Sequence, residues 1–170
     1  MRYSGANDNA SGISIILELA RLWQRTGYKP KRSIIFAAWD AQEFGSLGST
    51  FYSENPIIPI ENTIAVVNVD GIAGGEGFNL GITGDQESDS LALLATRAAG
   101  DYLDAKTTWV NDTGVGDHEP FNKLGVPSVL LAWRLANEDN LPDEFANGVT
   151  PNRIEIAGKI VALAVMALAQ

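Results

Sequence analysis

Apolar residues recur along this chain in two rhythms, one helical and one continuous. Over residues 11–25, Ile13, Ile16, Leu17, Ala20 and Trp23 fall on one face at helical spacing. Gly27 and Pro30 end that run. Residues 33–39 form an unbroken short apolar run, which predicts a strand buried on both faces. Residues 46–53 predict a short helix, 63–69 a second buried strand, the glycine-rich 71–77 a loop, and 78–83 a third strand. Residues 89–103 predict a helix with Leu91, Leu94, Ala95 and Ala98 inward, followed by an edge strand over 105–110. Residues 127–133 are a further buried strand, and 137–148 a long polar loop. Thr150 caps a last helix, with Pro151 at its first position and Ile154, Ala157, Ile160, Val161 and Ala164 inward.

Alternation of helix and strand defines an α/β fold with a mostly parallel sheet covered on both faces. The expected architecture is a three-layer αβα sandwich with a mixed sheet, in one domain spanning residues 1–170. No strand is read before the first helix. The expectation is a sheet that lacks the usual first strands, with an edge open to a second copy or an extended assembly.

The composition narrows the chemistry. Twenty-one acidic residues against twelve basic give a net charge of −9, which disfavours nucleic acid and anionic membranes as partners. Hydrophobic residues make up 45% of the chain, enough for a packed core. The longest apolar stretch, 160–169, is too short to span a bilayer, and no signal peptide is read at the start. Asn9 and Asn111 match the glycosylation pattern, a motif that often arises by chance. There is no cysteine, so a bound metal would rest on oxygen and imidazole.

Four such residues stand at element ends or in nearby loops. Asp8 precedes the first helix, Glu43 follows the strand read over 33–39, Asp70 follows the second strand, and His118 lies in a loop before the last. Three carboxylates and an imidazole suit zinc, cobalt or manganese. Each also has a plainer reading. Asp8 is a helix N-cap by local pattern, Asp70 before glycine starts a turn, His118 is a solvated loop residue, and Glu43 a surface carboxylate.

The stretches Gly5-Ala6-Asn7-Asp8-Asn9-Ala10-Ser11-Gly12, Lys31 to Phe36, Glu43-Phe44-Gly45, Gly48-Ser49, Val69-Asp70, Asp117-His118-Glu119-Pro120-Phe121 and Gly125-Val126-Pro127 add a resemblance. The chain resembles the zinc aminopeptidases of peptidase clan MH, family 28, a group that includes bacterial leucyl aminopeptidases and glutamate carboxypeptidase-like proteins. The resemblance implies a zinc-exopeptidase-like fold, a peptide or aminoacyl substrate, and often secretion. It implies two zinc ions bridged by the aspartate matching Asp8, with Glu43 on one metal and Asp70 on the other. A glutamate matching position 42 would be the general base that deprotonates the attacking water. Here that position is Gln42. The family's early His-x-Asp motif and late His-Thr pair also have no match, and His118 is the only imidazole. The implied function is a zinc-dependent aminopeptidase-like metallopeptidase with impaired or lost activity unless Asp40 or Glu119 replaces the base. The alternative is an inactive structural, metal-binding or protein-interaction domain. An all-oxygen set of Asp8, Glu43 and Asp70 implies weak zinc binding, with calcium, magnesium, manganese or no metal as the other outcomes.

Overall fold

The computed structural model describes residues 4–74, 79–84, 91–109, 116–133 and 149–170. Its helices are α1 (Ala10–Thr26), α2 (Leu47–Glu54), α3 (Leu91–Tyr102), α4 (Glu119–Lys123) and α5 (Pro151–Leu168). Its strands are β1 (Val66–Val69), β2 (Leu80–Gly84), β3 (Thr107–Trp109) and β4 (Ser128–Ala132). They form one sheet in the order β1-β4-β2-β3. β1 runs parallel to β4 and β2 to β3, while β2 and β4 are antiparallel. The sheet is mixed, as expected, and β3 lies at one edge.

The sheet's two faces bury different residues because side chains alternate along a strand. Val129 and Leu131 of β4, with Val69 of β1, join Ile15, Leu19, Ala157, Ile160, Val161 and Ala164 in the main core. Thus α1, α3 and α5 cover one face. Leu130 points the other way, toward Gly116, where α2 and α4 pack together. Helix α1 begins at Asn9, whose side chain accepts the Gly12 N–H, and ends at Gly27 in the left-handed conformation.

Several sequence expectations change. The run 33–39 forms no strand and is paired with none, and Ile35 and Phe36 remain 45% and 41% exposed. A strand needs a neighbour for its backbone groups, and none of the described strands lies beside this run. In α1 the buried positions are Ile15, Leu19 and Trp23; Leu17 is 65% exposed, and Ile13 and Ile16 face a cavity instead. In α3 the inward set is Ala92, Thr96, Ala99 and Gly100, whereas Leu91, Leu94 and Ala98 are exposed. Small residues win that face because α3 packs closely on α5 and β3; a Cβ on Gly100 would lie 2.7 Å from Thr107 Cγ2. Thr150 holds the N-cap position of α5, but its side chain makes no capping bond. The loop expected over 137–148, the end of the 71–77 loop and Asn111 lie outside the described residues.

Candidate active site

Asp8 sits on a loop stitched to the carboxyl end of β1. The buried Asn7 side chain accepts from the backbone N–H groups of Ala73 and Gly74 at 2.8 and 2.7 Å. Asn9 Nδ2 donates to the Val69 carbonyl at 2.9 Å, while its Oδ1 caps α1. Ser11 Oγ donates to the Asn7 carbonyl and accepts from the Ile72 N–H. Asn9, then, is the N-cap that local pattern assigned to Asp8. Asp8 is left half-buried between two asparagines that fix it from both sides. The Asp8–Asn9 peptide bond is cis.

Gln42 and Glu43 lie on a single 3₁₀ turn, Gln42–Phe44, framed by Ala41 and Ser46 in left-handed conformations (φ 58° and 54°). Such residues persist only where surroundings hold them. Here Trp39 packs against Tyr52 and Phe121 with ring centroids 5.0 and 6.1 Å away, tying the turn to α2 and α4. Gly48 lets α2 approach the turn, because a Cβ there would lie 2.6 Å from the Asp40 carbonyl oxygen.

Asp8, Gln42, Glu43, Asp70 and Asp117 all line one cavity of about 930 Å³ that runs along β1 to its carboxyl end. Ligands collect at such strand ends in open α/β sheets. His118 is fully buried at the N-terminus of α4 and does not line this cavity. Its neighbour Asp117 does, accepting from Ser49 Oγ at 2.6 Å. Burial raises the Asp117 pKa, against the lowering effects of the Ser49 hydrogen bond and of His118. A carboxyl with a raised native pKa binds its proton more tightly when folded, so this group's contribution to stability falls as pH rises above 3.8. Ser49→Ala removes the donor that makes the ionised form tolerable. It is expected to cost about 1.5–3 kcal/mol near neutral pH and less in acid, measured by urea unfolding at both.

The fit to a pair of zinc ions is poor. Among the described residues, no three His, Cys, Asp or Glu side chains are close enough together to hold a metal ion. The donors at the cavity are all oxygen, a set that favours harder cations over zinc. Asp40 and Glu119, the substitute bases expected from sequence, are absent from the cavity lining. Sequence reading missed Asn7, Asn9, Ser49 and Asp117. Two asparagines flanking an aspartate before a helix were the available signal, because asparagine caps and ties loops as well as aspartate does.

Residues 2–163 match Peptidase family M28. This chain belongs to that family, as the fold and the strand-end carboxylates lead one to expect. It is 37% identical over 149 residues to a probable glutamate carboxypeptidase of Zea mays, covering 76% of this chain and 20% of the relative. Aminopeptidase YwaD of Bacillus subtilis is 25% identical over 170 residues, covering 95% of this chain and 37% of the relative. The solved structure of a zinc aminopeptidase from Bacillus subtilis superposes with a TM-score of 0.84 at 23% identity. It covers 99% of this chain and 43% of that one, and shows a common fold. The chain therefore spans between a fifth and under half of the length of these relatives.

Proposed function

We propose that this chain carries the carboxylate-bearing part of a terminal-peptide hydrolase centre and by itself turns over peptides slowly. The observation that supports this reading is the joint lining of one strand-end cavity by Asp8, Glu43 and Asp70, with Gln42 at the family's proton-accepting position. Water attacking a scissile carbonyl must lose a proton. A glutamate beside it accepts that proton, whereas an amide has no site for it near neutral pH. The substrate class is a peptide or aminoacyl amide, in keeping with the peptidase names of the relatives. The test is hydrolysis of aminoacyl anilides by the parent chain and by Gln42→Glu, with zinc or manganese supplied. Activity in the parent equal to that of the glutamate variant would remove Gln42 from its assigned place.

The cation is weakly held on this reading. Zinc is the family's metal by resemblance; the oxygen donor set leans to manganese, magnesium or calcium. Elemental analysis after gentle purification is expected to find well under one zinc per chain, and a full pair would overturn the reading. A second reading, a binding domain that kept the fold and lost the chemistry, is favoured by the finding that no three potential ligands among the described residues come close enough to hold a metal ion. Self-assembly through the open sheet edge works against the net charge of −9 that each copy brings. Among the described residues no helix is long and apolar enough to cross a membrane.

A further inference from the structure

Asp8 and Asp70 reach the cavity from places far apart in sequence, and one short loop links them. That loop, residues 71–74, leaves Asp70 directly and is buried along its whole length. Buried backbone groups need partners, and here the partners come from outside the loop. The Ile72 N–H donates to Ser11 Oγ at 3.2 Å. The Ala73 and Gly74 N–H groups converge on Oδ1 of Asn7, the residue directly before Asp8. The Gly71 carbonyl accepts from the Trp133 N–H at 3.3 Å, and the Ala73 carbonyl from the Thr150 N–H at 2.8 Å. The Gly74 carbonyl accepts from Arg153 Nη1 at 2.6 Å.

Arg153 stands in the first turn of α5 and does not line the cavity. A cation in that turn opposes the helix macrodipole, so helix stability does not account for it there. Its guanidinium lies 5.2 Å from the centre of the Trp133 ring, and Trp133 Nε1 donates to the Arg153 carbonyl at 3.3 Å. Trp133 is buried just after β4, so the cation rests against a fixed ring. The helix behind it is anchored in the main core by Ala157, Ile160, Val161 and Ala164. Among the loop's bonds named above, only that from Arg153 carries a full charge. Charge-assisted bonds are shorter than neutral ones and about twice as strong. Gly74 has no side chain, so its backbone is the only part by which it can be held. Its carbonyl meets Arg153, and its N–H meets Asn7.

We infer that Arg153 is a positioning residue for the carboxylate centre. It carries the placement of α5 through Gly74 and Asn7 to Asp8, and along the loop's backbone to Asp70, and so fixes the spacing of the two carboxylates. Its effect on turnover rests on the hydrolytic reading above. The linkage also has a signature that does not, namely protection of the Ala73 and Gly74 amides that Asn7 holds.

The test compares Arg153→Met, which keeps an apolar stem over Trp133 and removes the donor, with Arg153→Lys, which keeps a charged donor. Ile160→Val, in the core of the same helix, is the control that lowers stability away from the loop. In the 170-residue chain, the Ala73 and Gly74 amides are expected to exchange about tenfold faster in Arg153→Met than in the control, and near the parent rate in Arg153→Lys. With Gln42→Glu added to each, Arg153→Met should lower kcat for aminoacyl anilides by about tenfold at unchanged KM. Arg153→Lys should recover most of that loss, and the control should show none of it. Should Arg153→Met fail to fold, Arg153→Gln, with a shorter and neutral donor, takes its place. Unchanged exchange at Ala73 and Gly74, a loss confined to KM, or an equal loss in the control would each overturn the inference. If every chain is silent toward anilides, the hydrolytic reading fails, and the exchange rates alone then uphold or overturn the place given to Arg153.

Discussion

Gln42→Glu is expected to raise kcat for aminoacyl anilide hydrolysis by about 10²–10⁴-fold and to leave KM near its starting value. The two side chains have the same shape, so the exchange alters proton affinity rather than geometry. The turn that carries position 42 is held by left-handed residues on either side and by Trp39 against Tyr52 and Phe121. Gln42 is half-buried on the cavity wall, and a carboxylate there stays close enough to water to ionise. Folding stability should move by less than about 0.5 kcal/mol, because the exchange keeps size and shape at a half-buried position. A rise confined to kcat identifies proton acceptance as what the parent lacks. Equal silence of both chains at saturating zinc and manganese would favour the binding-domain reading, since the lack of a three-ligand metal group among the described residues would then be the deeper deficit.

Helix positions were legible in the sequence because their cause is local. The periodicity of 11–25 and the Thr150-Pro151 start placed α1 and α5 within a residue or two. The strand at 128–132 was equally plain, being apolar and central in the sheet. Segment 33–39 carried the same apolar signal yet makes no ladder. Apolar content reports that a segment wants two covered faces, and says nothing of whether partners are present at its edges. The same limit explains α3, where leucines marked the inner face but close approach to α5 selected alanine, threonine and glycine.

The site divides along the same line. Asp8, Glu43 and Asp70 were found by their positions at element ends, and the cavity collects all three. The residues that shape the site around them were not legible, because each acts across the chain: Asn7 on Ala73, Asn9 on Val69, Ser49 on Asp117. Their partners lie 60 to 68 residues away in sequence, a separation that no local pattern encodes. His118 is the opposite case. It drew notice as the lone imidazole, and the fold buries it outside the cavity lining.

Gly12→Ala is expected to cost about 2–4 kcal/mol of folding stability and to displace Asp8 from the cavity. The added Cβ would lie 2.2 Å from the Val69 carbonyl oxygen and 2.4 Å from Asn9 Oδ1. The first contact is backbone at the end of β1, held by the ladder to β4, so the start of α1 must move instead. That movement breaks the Asn9 cap, worth about 1 kcal/mol, and the Asn9–Val69 and Ser11–Ile72 bonds at about 1 kcal/mol each. Alanine's better helix propensity offsets at most about 1 kcal/mol of this. Gly158→Ala supplies the internal comparison. Its Cβ would meet Ile15 at an ordinary 3.6 Å within α5, so the same substitution should stabilise by up to about 1 kcal/mol. Urea unfolding of both variants measures the signs directly. If Gly12→Ala matched the parent in stability, the junction of α1 and β1 would be able to give, and Asp8 would not be the fixed point on which the site is built.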